Sequence, residues 1–331
     1  MKTEILAFNE TMIAEAGKLL AQRHQRNRMK QPLLPIRFED TQVAVKAVEV
    51  LWQKKNKNGY AAFREGRMVA YLIGTNMTQA WGRCGYVYFA GYALAEGEKA
   101  SIIQDLYARL GDDWIQLGVF SHGCYVAAAD SEIIEAMFDI GFGKERVDGL
   151  LDLRSIDITK ANIPDGLTIR RAGTGDNDHL GSLSSIIMKA LANASYWHPT
   201  IPEEWEELRE GWAELADETE WTVWMAFEKD QVLGTIGFHP EEEDDLAMFV
   251  PAHAASLTVA ATKPEARGKG ISTALTWHGL SEAKKAGFDF CYTDWISPNL
   301  LASRFWPRFG FQDVGYRLSK QVNPMITWTR K

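Results

Sequence analysis

The segment Ala260-Ala261-Thr262-Lys263-Pro264-Glu265-Ala266-Arg267-Gly268-Lys269-Gly270-Ile271-Ser272 holds the residues of this 331-residue chain best suited to chemistry. An apolar run ends, a loop with two glycines follows, and a helical pattern begins. Glycines let backbone N–H groups approach a ligand closely, and a helix start adds partial positive charge. Arg267 and Lys269 add formal charge, so the loop reads as an anion site for phosphate or pyrophosphate. It is not a P-loop, because Gly270 follows Gly268-Lys269 where Ser or Thr is needed and no glycine stands five residues before Gly268. Nor is it a dinucleotide fingerprint. Thr273 takes the third glycine position, and Lys-Pro-Glu-Ala-Arg is too long a spacer for the tight turn, although Asp289 supplies an acid about 20 residues on.

The stretch resembles motif A of the GNAT superfamily of acetyl-CoA-dependent N-acetyltransferases, in which a strand leads to [QR]xxGx[GA] opening a helix. Here Thr262-Lys263-Pro264 precedes Arg267-Gly268-Lys269-Gly270-Ile271-Ser272, with Ser272 in place of Gly or Ala. A second family element, NxxAxxF…GF, is matched by Asn299, Ala302, Phe305 and Gly310-Phe311. The resemblance implies that the backbone from Arg267 through Gly268, Lys269, Gly270 and Ile271 to Ser272 holds the pyrophosphate of acetyl-CoA. It also implies that the pantetheine arm lies along Ala260, Ala261 and Thr262, and that Asn299 and Ser303 contact the cosubstrate. The strand then splays from Phe288–Trp295, with a backbone amide near Ala261 or Thr262 facing the developing oxyanion.

Many relatives carry a Tyr just after the Phe of the second element, where it protonates the leaving thiolate. Trp306 stands there, and its indole N–H is no proton donor in that sense. Either the thiolate leaves unaided or Ser303 or Tyr292 assists, while Trp306 packs against the pantetheine arm or the core. A base for the acceptor ammonium has several candidates: Asp294 at its strand end, His253 before the cofactor strand, the acidic loop Glu241–Asp245, or a water relay. The catalytic candidates are therefore Asp294, Ser303 and Tyr292.

These residues need elements to position them. In residues 1–160, helical spacing covers Met12–Leu20 and Asp40–Trp52, and strands are expected at Gly59–Phe63, Met68–Ile73 and Gly85–Ala90. A helix near Ala100–Leu110, a strand over Trp114–Phe120 and a helix over Ser131–Asp139 follow. After the break at Thr159–Gly166 the order repeats. A strand falls at Leu167–Arg170, one helix carries Leu180, Leu183, Ile187 and Leu191, and another opens at Pro202 with Trp205, Leu208, Trp212 and Leu215 on its apolar stripe. A hairpin joins Trp221–Phe227 to Gln231–Phe238. Strand Ala255–Ala261, helix Ser272–Ala286, strand Phe288–Trp295 and helix Asn299–Phe309 complete the series. Each half ends its last helix in Gly-Phe, at 141–142 and at 310–311. The expected fold is α/β (an α+β mixed sheet): two tandem GNAT-like domains, 1–160 and 161–331, each a mostly antiparallel central sheet flanked by helices.

The first half reads as a degenerate copy. Its counterpart of the glycine loop, Gly91 to Ala100, lacks Arg and places Glu96 and Glu98 toward the expected phosphates, while Asp130 stands for Asn299 and Met137 for Trp306. It is expected not to bind acetyl-CoA. Residues 1–160 carry 20 basic and 20 acidic residues, so the chain's net charge of −8 lies wholly in residues 161–331. Glu203–Glu220, with nine acids and Arg209, and Glu241–Asp245 dominate it. Such a surface disfavours nucleic acid and anionic membranes and suits an amine acceptor, or it is simply a solvated face. Three separated cysteines give no disulfide framework or zinc cluster, no metal is expected, and no signal peptide or membrane span is visible. The expectation is a cytoplasmic monomer or homodimer that moves an acetyl group to a small-molecule primary amine. The alternative is a CoA-binding sensor without turnover.

Overall fold

A computed structural model of the chain describes residues 3–79, 82–157, 159, 163–193 and 195–330. The chain divides into two compact units, and neither is one contiguous stretch. The first comprises Met1–Asp148, Glu243–Pro251 and Asp313–Lys331; the second comprises Gly149–Glu242 and Ala252–Gln312. A contiguous division at 160/161 therefore does not coincide with the compact units.

The elements of the first part of the chain are β1 (Glu4–Ala7), α1 (Ile13–Lys30), α2 (Thr41–Gln53), β2 (Lys57–Arg64), β3 (Arg67–Gln79), β4 (Gly82–Val87), β5 (Tyr92–Leu94), α3 (Ser101–Gln116), β6 (Ser121–Ala127), α4 (Ser131–Asp139) and β7 (Gly143–Asp152). The remainder holds β8 (Leu167–Arg171), α5 (Asn177–Leu183), α6 (Ser185–Leu191), α7 (Pro202–Glu214), β9 (Thr222–Glu228), β10 (Gln231–Pro240), β11 (Ala254–Thr262), α8 (Ile271–Lys285), β12 (Phe290–Ile296), α9 (Leu300–Phe305), β13 (Gln312–Gln321) and α10 (Ile326–Thr329).

In the first unit the strands run β1-β2-β3-β4-β6-β13, with β5 also pairing β3. All these pairs are antiparallel except β4 with β6. In the second unit the order is β8-β9-β10-β11-β12, followed by the end of β7, and β11 with β12 is parallel. Each unit is thus a mostly antiparallel mixed sheet flanked by helices.

The strands β1, β5, β7 and β13 were not expected from the sequence, α9 ends at Phe305, and two further elements take another form. The run Trp114–Phe120 is not a strand. Trp114 is fully buried in α3, where its indole fills the space above Gly74 and Gly85, and the strand β6 begins only at Ser121. Short apolar runs fit a buried helix turn as well as a strand, and packing decides between them. The single helix expected over Leu180–Leu191 is two, α5 and α6, broken at Ser184, whose Oγ donates to the Gly181 carbonyl at 2.8 Å. A serine hydroxyl that satisfies a helix carbonyl in this way competes with the helical ladder.

The Gly-Phe pair recurs for a physical reason. Gly141 and Gly310 adopt φ +86 and +95, and each N–H bonds a carbonyl of the turn before it, of Phe138 and Pro307 respectively. A left-handed residue ends the helical turn, and glycine occupies it without a Cβ penalty. The next residue, Phe142 or Phe311, then enters the core of its own unit.

Candidate functional site

The site in the second unit begins with a register fault. β10 and β11 pair from Gly234↔Thr262 to Gly237↔Val259, then from Phe238↔Leu257 to Pro240↔Ala255. Thr258 is left over as a bulge, and a bulge bends a strand and re-aims its side chains. On the other side, β11 pairs with β12 only at Ala254↔Phe290, Ala255↔Cys291 and Ser256↔Tyr292. Just beyond, the Thr293 Oγ1–H donates to the Leu257 carbonyl at 2.8 Å. The two parallel strands therefore part at the bulge, and Ala260–Thr262 continue past the end of the β11–β12 ladder.

The loop after β11 closes on itself. The Lys263 N–H donates to the Leu233 carbonyl at 2.8 Å, and a short turn covers Pro264–Ala266. Gly268 and Gly270 take φ +78 and +80. Gly270 is the N-cap of α8, and no side chain caps that helix start. The first backbone N–H groups of a helix have no intrahelical acceptor, so those of Ile271, Ser272 and Thr273 face outward as donors for an anion. Arg267 and Lys269 are exposed beside them. The Thr262 and Ser272 hydroxyls are hydrogen-bonded at 2.8 Å, and Thr276 Oγ1–H donates to the Ser272 carbonyl at 2.8 Å. The serine in place of Gly or Ala thus ties the strand end to the helix start. A groove of about 290 Å³ adjoins the loop, with Lys189 of α6, Lys263 and Arg267 as its cations.

The other expected residues lie as follows. Tyr292 is half-buried opposite Ser256, and Asp294 is half-buried two residues on, on the same face of the strand by alternation. Asn299 is the N-cap of α9, without a side-chain capping bond; its carbonyl accepts from the Ser303 N–H at 2.9 Å. Ser195 Oγ–H donates to the Pro298 carbonyl at 2.7 Å, so the loop after α6 is tied to the start of α9. Trp306 is only 7% exposed and packs edge-on against Phe305 and Phe311. Its ring is a core residue with little surface left for a ligand. Of the base candidates, His253 is exposed in a left-handed turn (φ +58). In the acidic loop, Glu243 and Asp245 belong to the first unit, where both pair with Arg37 at 3.3 and 3.0 Å.

The sequence reading passed over His239, Ser256 and Thr258. His239 Nδ1 lies 2.9 Å from the Pro240 carbonyl and Nε2 lies 3.0 Å from Thr258 Oγ1. Ser256 Oγ lies 3.1 Å from the same Thr258 oxygen. The available signal was Ser256 and Thr258 alternating within a strand that is otherwise apolar up to Ala261; their partner on β10 could not be read without the bulge.

In the first unit a groove of about 480 Å³ lies between the starts of α3 and α4, but the carbonyls of β5 are taken by side chains from within. Arg23 donates to the Tyr92 carbonyl at 2.5 Å and stacks on the Phe89 and Tyr92 rings; Arg26 donates to the Leu94 carbonyl at 2.7 Å. The Tyr92 hydroxyl accepts from the Ala127 N–H at 3.2 Å, which bridges β5 to the end of β6. Glu98 is paired with Arg64. Burial raises the pKa of Asp130, the counterpart of Asn299.

Residues 189–311 match the acetyltransferase (GNAT) family. No curated protein matches the sequence. Among solved structures, a GCN5-related N-acetyltransferase from Sphaerobacter thermophilus is 17% identical, with 97% of this chain and 96% of that one covered at a TM-score of 0.59. A tandem GNAT protein from the clavulanic acid biosynthesis pathway is 12% identical over 98% and 99% of the two chains, at a TM-score of 0.51. A fungal glucosamine N-acetyltransferase region is 13% identical over 96% of this chain and 38% of that one, at a TM-score of 0.57. The chain shares the fold of these GNAT proteins over nearly its whole length, and the family match lies within residues 189–311. Among the described residues, no cluster of three His, Cys, Asp or Glu is placed to hold a metal ion, and no helix is long and apolar enough to cross a membrane.

Proposed function

We propose that the protein is an acetyl-CoA-dependent N-acetyltransferase of the cytoplasm, in which the second unit transfers acetyl to a small-molecule primary amine. The observation that carries this reading is the uncapped start of α8, with Gly268 and Gly270 in left-handed conformations beside strands that part at Ser256 and Tyr292. The backbone donors from Gly268 to Ser272 would hold the pyrophosphate, and the edge of Ala260–Thr262 would take the pantetheine arm as an added strand. Direct attack by the amine fits the cysteines. Burial pushes the Cys124 thiol up to about 12 and the Cys291 thiol higher still, and Cys84 is raised as well. None is poised as a thiolate nucleophile that could carry an acyl group. The excess negative charge of residues 161–331 favours a cationic acceptor.

The first unit is read as non-catalytic, because Arg23 and Arg26 already occupy the β5 carbonyls along which a pantetheine would lie. Trp306 favours a second reading, a CoA-binding sensor, since its buried indole cannot protonate a leaving thiolate. One assay separates the two: thiol release from acetyl-CoA across polyamines, amino acids, aminoglycosides and peptides, repeated with Gly270→Glu. Amine-dependent release, lost in the variant, is expected. Tight acetyl-CoA binding without turnover supports the sensor, and absence of CoA binding removes both.

A further inference from the structure

The polar side chains at the β11 bulge have one consistent hydrogen-bond direction. A carbonyl oxygen can only accept, so the contact of His239 Nδ1 with the Pro240 carbonyl requires the proton on Nδ1. In the neutral ring Nε2 is then an acceptor, and Thr258 Oγ1–H donates to it. With that proton committed, Ser256 Oγ–H donates to Thr258 Oγ1. The chain runs Ser256 to Thr258 to His239 to a backbone carbonyl. Ser256 is 3% exposed, whereas Thr258 is exposed on the bulge. Trp221 packs on His239, with ring centroids 4.6 Å apart, which limits the ring's freedom to turn.

This chain sits where β11 leaves β12, since Ser256 is the last paired residue and Thr258 is the first side chain aimed off the ladder. We infer that Thr258 and His239 form a proton relay for the acceptor amine, an inference that rests on the N-acetyltransferase reading above. The acceptor's ammonium proton passes to Thr258 Oγ1 as the hydroxyl proton moves to His239 Nε2, which leaves the amine neutral. The Pro240 carbonyl holds the resulting imidazolium through Nδ1–H. The amine lone pair attacks the thioester carbonyl carbon; the C–N bond forms and the C–S bond breaks, with its electron pair leaving on sulfur. The second amine proton goes to the thiolate, and His239 returns its proton to solvent. The ammonium and the thioester give the amide, the free thiol and one proton. Thr258 is the catalytic residue of this pair, and His239 acts through it.

The test uses the full-length chain with acetyl-CoA and the best primary amine of the panel above. His239→Gln and Thr258→Val are expected to lower kcat by about a hundredfold, the scale of a lost proton-transfer group. KM for the amine and acetyl-CoA affinity by calorimetry should stay within about threefold. Thr258→Ser keeps the hydroxyl and should restore most of the turnover. A kcat for His239→Gln close to wild type, or a change in KM alone, would overturn the relay. A second readout needs no turnover: nitrogen NMR of histidine-labelled protein, with His239→Gln to assign the signal. Protonated Nδ1 and bare Nε2 are expected at His239; a proton on Nε2 refutes the relay. If no amine releases thiol but this tautomer is present, the acetyltransferase reading fails while the hydrogen-bond chain stands.

Discussion

Ser272 and Trp306 are the two departures from the family pattern, and their side chains have opposite fates. The Ser272 hydroxyl gains a partner in Thr262 and closes the loop, so the substitution adds a bond rather than merely fitting a tight turn. Ser272→Ala should lower stability by about 1 kcal/mol, the usual net worth of a neutral hydrogen bond, read by denaturant unfolding. Trp306 is packed among Phe305, Phe309 and Phe311. Trp306→Ala should cost about 3–5 kcal/mol in the same measurement, and Trp306→Phe much less. An unchanged midpoint for Trp306→Ala would mean that the ring is not part of the core. Arg267-Gly268-Lys269-Gly270 was legible from residue types alone, because left-handed turns and helix starts select glycine locally. His239 was not, because its partner Thr258 depends on which residue of β11 is extruded.

At the scale of elements, α1 shows how a helix can close a slot. Its Arg23 and Arg26 reach the carbonyls of β5, while its neighbouring His24 is fully buried with Nε2 at 2.7 Å from the Pro35 carbonyl. Burial lowers the His24 pKa from 6.5 to about 4. A histidine held neutral in the fold binds its proton more readily when unfolded. Stability of this helix is therefore complete above pH 6.5 and falls as pH drops from 6.5 toward 4, by up to about 3 kcal/mol. Unfolding midpoints of wild type and His24→Gln over that range should converge as pH falls; parallel curves would contradict the assignment. Helices α2, α4 and α7 were readable from apolar spacing, and Trp212 of α7 and Leu215 just after it do enter the core of the second unit. The tail of α3 and the break at Ser184 were not, since both are decided by partners distant in sequence or by a single side-chain bond.

For the whole molecule, the compact units share segments of the chain. Asp313–Lys331 belongs to the first unit, where β13 pairs with β6 from Gly315↔Ala127 to Gln321↔Ser121 and buries Val314 and Leu318. Deleting residues 313–331 should strip β6 of that partner. Hydrogen exchange at Ser121–Ala127 should then rise well above wild type, whereas unaltered protection would show that the first unit does not need β13. Calorimetry of the intact chain with acetyl-CoA should give one site, because Arg23 and Arg26 hold the β5 carbonyls and Tyr92 bridges β5 to β6 in the first unit. A stoichiometry of two would overturn that reading.

From sequence alone came the repeated order of elements, the glycine loop at Arg267–Ser272 and its absence from the first half, since each depends on local backbone preference, periodicity or residue type. The tertiary structure decided where the strands part, which residue bulges, what holds the β5 carbonyls of the first unit and which segments complete each sheet. Those outcomes depend on strand register and on packing between residues far apart in the chain, and neither is written into any one segment.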